Sequence, residues 1–443
     1  MQRRLGLNSL APTTPPADPM SVSFSPALAM TTAFAVALIA GLVLKFWLAS
    51  RQMRHVANCR NVVPAAYAQS VSLAAHQKAA DYTITKTRFD LLELAAGAAI
   101  LLGWTLLGGL DLLNHALMEW TGPGMLQQVA LLLAFALIGG AIELPLAWFT
   151  TFVIEERFGF NKTTLRLWVT DLLKSAVLGA VIGIPLVSLI LWLMGAAGPY
   201  WWVWAWSTWM GFNLLLLMIY PSFIAPLFNR FKPLEDEGLK SRVMALMQRC
   251  GFSARGLFVM DGSRRSAHAN AYFTGFGASK RVVFYDTLLA KLSPAEVDAV
   301  LAHELGHFKH RHVIKRIVTL FAVSLCGFAL LGWLSSRAWF YVALGGQPNM
   351  VAGAPNDALA LLLFLLVAPV FTLFLSPWMA YFSRQHEFEA DRYAVHQTSG
   401  SDLASALLKL YEDNASTLTP DPVYVRFYYS HPPATERLAR MAT

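Results

Sequence analysis

The stretch VDAVLAHELGHFKHRH, Val297 to His312, carries His303, His307, His310 and His312 together with Glu304. Just before it, Ser293-Pro294-Ala295-Glu296 has the form of a capping box with proline in the first helical turn. A helix that starts at Pro294 puts His303 and His307 one turn apart on a single face. His303-Glu304-Leu305-Gly306-His307 is then an H-E-x-x-H zinc motif. The two imidazoles bind the ion, and Glu304 lies beside it, where a carboxylate can accept a proton from water. His310 and His312 sit among Lys309, Arg311, Lys315 and Arg316. They read as part of a basic collar at a membrane surface rather than as ligands.

The collar reading follows from what lies on either side. The chain has 443 residues, 56% hydrophobic and 14% charged, whereas soluble domains average about 45–50% apolar and about 25% charged. That composition excludes an ordinary soluble protein and points to a lipid bilayer as partner. The net charge of +8 fits cytoplasmic loops rich in Lys and Arg, and no nucleic-acid partner is expected. Cys59, Cys250 and Cys326 form neither a disulfide framework nor a cysteine-based zinc spacing.

A membrane-spanning helix needs about 20 mostly apolar residues. Seven segments qualify: Ala27–Trp47, Leu94–Leu113, Val129–Ile154, Ser175–Met194, Trp201–Ile224, Ile317–Leu334 and Ala358–Phe382. Glu143 falls within the third and Asp111 near the end of the second, and ionisable groups at such depth face a protein interior or a wet cavity. The loop after the first span carries Arg51, Arg54, Arg60, Lys78, Lys86 and Arg88, and the loop after the third carries Arg157, Lys162 and Arg166. Positive charge therefore places loops one, three and five and the C-terminus in the cytoplasm, with the N-terminus outside. The expected organisation is a disordered tail (1–25), spans one to five (26–224), a protease domain (225–316), spans six and seven (317–382) and a C-terminal protease segment (383–443). Met20 is a second candidate start.

The 225–316 region opens with a helical pattern, Leu234–Gly251. Strand-like runs follow at Gly256–Asp261, Ala269–Phe276 and Arg281–Leu289, the last two joined by a turn at 277–280. A catalytic zinc commonly takes three protein ligands, and SRQHEFEADRYA (Ser383–Ala394) offers the third. Glu387 and Asp391 are one turn apart on a helix. Glu387 completes the ligand set, and Asp391 orients one histidine by accepting its other ring N–H. His386 and Glu389 compete on composition but point elsewhere on the helix. Glu389 and Arg392 read as a solvated face.

At this point the chain resembles the type I CAAX prenyl proteases, which are integral-membrane zinc metalloproteases. HELGHFKH and SRQHEFEAD are similar to that family's two metal motifs. FVIEERFGFNKTT (Phe152–Thr164), YPSFIAPLFNRF (Tyr220–Phe231), SAHANAYFTGF (Ser266–Phe276) and YSHPPATERL (Tyr429–Leu438) are similar to its other signatures. The resemblance runs from about Val43 to the C-terminus. It implies a mainly α, multi-pass membrane fold: seven transmembrane helices around a chamber, with a small α+β zinc-metalloprotease domain on the cytoplasmic side. It implies one zinc ion on His303, His307 and Glu387, with Glu304 as base. It also implies substrate binding by Asn270, flanked by Ala269 and Ala271 on an edge strand, and a stabilising role for His431 in the reaction. Family substrates include farnesylated proteins ending in C-a-a-X, from which the last three residues are removed. The expected partner is a peptide or protein, prenylated or not, in a bacterial inner membrane or the endoplasmic reticulum. The alternatives are a general quality-control metalloprotease, an intramembrane site-2-like protease, and a transporter using Glu143 and Asp111, which leaves the zinc set unexplained.

Overall fold

The computed structural model describes residues 25–252, 256–274, 281–349 and 355–441, so the expected tail up to Phe24 lies outside it, as does the 277–280 turn. Hydropathy locates only the oily centre of each membrane helix, and the helices run on through their polar flanks. The first extends over Pro26–Cys59 (α1), where Ser25 caps the backbone of Leu28. Among the described residues six helices are long and apolar enough to cross a bilayer: Pro26–Cys59, Met125–Glu155, Leu165–Ala196, Gly198–Phe228, His312–Leu334 and Asp357–Gln397. The second expected span, Leu94–Leu113, straddles a break. Leu73–Trp104 (α2) and Gly109–Thr121 (α3) are bent by 50° and count as one further span if taken together. The break follows from TLLGG: Gly108 adopts φ +77°, a left-handed turn that side chains resist. Asp111 then lies in the first turn of α3, where its carboxylate accepts from the Gln347 N–H at 2.7 Å. Glu143 is exposed rather than packed among helices.

Only 6–33% of each candidate window is buried against protein. The buried minority, among them Phe34, Leu131, Leu191, Leu331 and Leu363, form one core between the helices, and the remaining positions keep surface for lipid or open space.

Outside the spans a four-stranded sheet forms, with strands β1 (Phe231–Pro233), β2 (Gly256–Met260), β3 (Ala271–Thr274) and β4 (Arg281–Tyr285). The spatial order is β1-β2-β4-β3, with β2 and β4 parallel and the other pairs antiparallel. β3 is thus an edge strand. The expected strand Arg281–Leu289 stops at Tyr285 because the next residues form a helical turn, with Asp286 Oδ1 accepting from Thr287 N at 2.8 Å. The expected helix at Leu234–Gly251 is Glu237–Arg249, capped by Asp236. This helix, the sheet and the Pro294–Lys309 helix share one core, including Val243, Leu246, Val282, Phe284, Leu301 and Leu305.

The expected boundary between 382 and 383 falls inside a helix, Ser376–Gln397, which continues the last apolar run from Asp357 through one tight turn. The last membrane segment and the helix bearing Glu387 are one rod.

Candidate metallopeptidase centre

The Pro294–Lys309 helix starts as its sequence requires. Ser293 Oγ accepts from Glu296 N, and Glu296 Oε2 accepts from Ser293 N at 2.7 Å. Glu296 also takes hydrogen bonds from Ser405 Oγ (2.6 Å) and Lys409 Nζ (2.8 Å). Burial alone raises the pKa of this carboxyl; the hydrogen bonds from Lys409, Ser405 and Ser293 outweigh it and hold the pKa at about 2.

One turn of this helix crosses Ser376–Gln397 at close range, and Gly306 is the reason. A Cβ there would lie 2.9 Å from Ala390 Cα and 3.2 Å from Tyr393 Cβ. The crossing sets His303, His307 and Glu387 facing one another. His303 Nε2 and His307 Nε2 are 3.3 Å apart, and each lies 3.4 Å from a Glu387 oxygen. One ligand atom from each residue fits within 4.8 Å of the others. Glu387 Oε2 is buried with no well-aligned hydrogen bond, His303 Nε2 standing 3.4 Å away, and a carboxylate oxygen so placed is costly unless a cation meets it. Burial lowers the pKa of His303, but Asp391 and Glu387 reverse the effect and lift it to about 9. Burial, followed by the neighbouring His303, drives His307 down to about 4, leaving a neutral imidazole. This donor set fits a cation of zinc's preferences, two imidazoles and a carboxylate.

Asp391 lies 2.8 Å from His303 Nδ1, as the spacing predicts. It has a second partner that the spacing does not suggest. Arg437 grips Asp391 with two hydrogen bonds of 2.8 and 2.5 Å and is itself 7% exposed. Glu304 is partly buried. Burial raises its pKa above the ordinary carboxylate value, with His303 opposing and Glu387 assisting.

His431 reaches the cluster from the segment before Pro432, its Nε2 3.3 Å from Glu387 Oε1 and its side chain 64% exposed. Asn270 stands apart. It is exposed at the start of β3, with its side chain accepting from Ala271 N (2.8 Å) and its carbonyl from Tyr285 N (3.1 Å). Ala269 is buried and its N–H donates to Asn414 Oδ1, a residue the sequence did not single out. His268, beside it, stacks on Phe160 at 4.5 Å and faces Glu155 at 3.6 Å, so the FVIEERFGF segment braces the approach to β3. His312 is 5% exposed and Glu389 is hydrogen-bonded to it at 2.8 Å, which corrects the collar and solvated-face readings of these two. The turn at His310–Arg311 folds His312 back against His386 and Glu389 of the Ser376–Gln397 helix, burying what the charge pattern placed in solvent.

A multi-pass membrane protein in which an H-E-x-x-H helix meets a carboxylate helix belongs to the membrane metallopeptidases. Residues 52–230 match the family described as CAAX prenyl protease N-terminal, five membrane helices, and residues 233–443 match peptidase family M48. The human CAAX prenyl protease 1 homolog is 31% identical over 90% of this chain and 92% of its own length. CAAX prenyl protease 1 of Saccharomyces cerevisiae is 37% identical over 68% of each chain. The crystal structure of S. mikatae Ste24p superposes with a TM-score of 0.87 at 29% identity, covering 94% of this chain and 99% of that one. The chain belongs to the CAAX prenyl protease family and is a metallopeptidase.

Proposed function

We propose that the protein is a zinc endopeptidase that removes residues from the C-terminus of C-a-a-X proteins, working at the cytoplasmic face of its membrane. The observation that carries this is the His303–His307–Glu387 cluster, with a buried Glu387 oxygen that has no well-aligned hydrogen bond. Zinc held there supplies Lewis-acid polarisation of a carbonyl and a more acidic water. An extended peptide pairs its main chain with the open edge of β3, guided by Asn270 and flanked by Ala269 and Ala271. Glu304 takes a proton from the attacking water and passes it to the leaving amine nitrogen. His431 donates a hydrogen bond to the oxyanion that develops on the carbonyl oxygen. Asp391, fixed by Arg437, keeps the proton of His303 on Nδ1 so that Nε2 faces the cluster. A water-filled chamber enclosed by the spans gives a lipidated chain end its route to the site.

The test is cleavage of a farnesylated C-a-a-X peptide and its unprenylated twin by detergent-purified protein, read by mass spectrometry. Preferential loss of the last three residues from the farnesylated peptide is expected. Equal cleavage of both would replace this substrate with a general peptidase reading. Glu304→Gln should retain zinc and lose turnover by about 10²–10⁴-fold; undiminished turnover removes Glu304 from its role.

A further inference from the structure

The two ring nitrogens of His307 face different neighbours. Nε2 lies in the ligand cluster, 3.3 Å from His303 and 3.4 Å from Glu387. Nδ1 lies 2.9 Å from Nδ1 of His312, and Nε2 of His312 lies 2.8 Å from Glu389 Oε2. His312 is 5% exposed, and a buried imidazole needs partners at both nitrogens. Its ring also stacks on His386, with centroids 4.0 Å apart and planes 14° apart. The side chain is pinned from above and at both edges.

The backbone is bent to put it there. Arg311 separates the Pro294–Lys309 and His312–Leu334 helices and adopts φ 57°, ψ 33°. That left-handed conformation crowds the Cβ of any residue but glycine and is disfavoured for arginine. Glycine or asparagine is the usual occupant of such a turn. The strain persists because the surrounding structure holds it, and its visible result is His312 folded back beneath His307.

We infer that His312 and Glu389 are positioning residues for His307, acting through its Nδ1. This rests on the zinc reading above. With the Nε2 lone pair directed into the cluster, the proton of His307 sits on Nδ1 and is donated to Nδ1 of His312. His312 then carries its own proton on Nε2 and donates it to the Glu389 carboxylate. Each donor meets one acceptor, and neither ring needs to be charged. The two histidine ligands are therefore supported differently. His303 rests directly on a carboxylate, whereas a neutral imidazole stands between His307 and its carboxylate. The first arrangement makes a ligand more basic; the second fixes its tautomer and ring angle while adding little charge.

The experiment uses the full-length protein in detergent. It measures zinc stoichiometry, the rate of zinc release to EDTA, and the visible spectrum of the cobalt-substituted protein. Wild type and His396→Ala, which removes an exposed histidine at the end of the Ser376–Gln397 helix, are expected to hold one zinc and release it slowly. His312→Ala should weaken zinc retention by about 10–100-fold and shift the cobalt bands. His312→Gln, whose side-chain oxygen can accept from Nδ1–H, should recover most of the loss, and Glu389→Ala should show a smaller loss in the same direction. Wild-type release and cobalt bands in both His312→Ala and Glu389→Ala overturn the inference. So does a glutamine variant no better than alanine, because lost packing would then suffice. Should His312→Ala not fold, the glutamine and Glu389 variants carry the same comparison. Absence of zinc from the unmutated chain overturns the metal assignment and the inference together.

Discussion

At the scale of single residues, the Asp391–Arg437 clamp decides how firmly His303 is held. Arg437 is buried and donates twice to Asp391. Removing one member of a buried pair leaves a charge stranded, at a cost of about 3–5 kcal/mol. Arg437→Ala is accordingly expected to lower the melting temperature in detergent and to lose metal. A variant with wild-type melting and full zinc content would show the clamp to be idle. His303, His307, Glu387 and Asp391 were legible in the sequence because each pair repeats at one helical turn. Arg437 was not, since it is 46 residues beyond Asp391 and no local spacing links them. Its only trace is its place in YSHPPATERL. The burial of His312 escapes the sequence for a related reason: a basic neighbourhood argues for solvent, and nothing in Arg311 announces a left-handed turn.

Among elements, the contact that matters most is the crossing of the Pro294–Lys309 and Ser376–Gln397 helices. Gly306→Ala places a methyl group against the Ala390 backbone, 2.9 Å from its Cα. Overpacking of this kind costs about 1–3 kcal/mol. The helices are expected to separate, with activity falling more than stability because the ligands sit on opposite sides of the crossing. Unchanged activity in a folded Gly306→Ala protein would contradict that geometry. The start of the first helix makes a prediction about pH. The native pKa of Glu296 is about 2, below the ordinary value of 4.5, so its contribution is fully present above 4.5 and is lost as the pH falls toward 2. Glu296→Gln should destabilise by about 1–3 kcal/mol at neutral pH, and thermal melts should show the difference closing between pH 4.5 and 2. A gap independent of pH in that window would rule out the charged network. The capping box itself was plain from four residues; Ser405 and Lys409, which complete it, arrive from another helix and left no local mark.

For the whole molecule, apolar runs fall within each of the six helices that, among the described residues, are long and apolar enough to cross a bilayer, but they do not mark the helix ends, and the run Leu94–Leu113 straddles a break. Hydropathy falls off where lipid ends, while backbone hydrogen bonding carries a helix onward. The break at Thr105–Gly108 was hidden inside one such run, because hydropathy does not register a change of direction. The sheet was readable as three alternating runs, whereas the three-residue β1 is too short to alternate visibly. The continuity of the last span with the helix bearing Glu387 has a mechanical meaning. From Asp357 to Glu387 is about 45 Å at 1.5 Å per residue, with the lower part gripped by lipid and the upper part carrying a ligand. Such a rod is a lever. A thicker or thinner bilayer changes the tilt of a spanning helix, and a small rotation at the buried end becomes a displacement at the far end. Peptide cleavage by protein reconstituted in phosphatidylcholines of graded acyl length should pass through an optimum. A flat profile would mean that a hinge in the tight turn at Leu373–Leu375 decouples the two ends. The thickness of the membrane is, on this view, a setting of the enzyme's own focus.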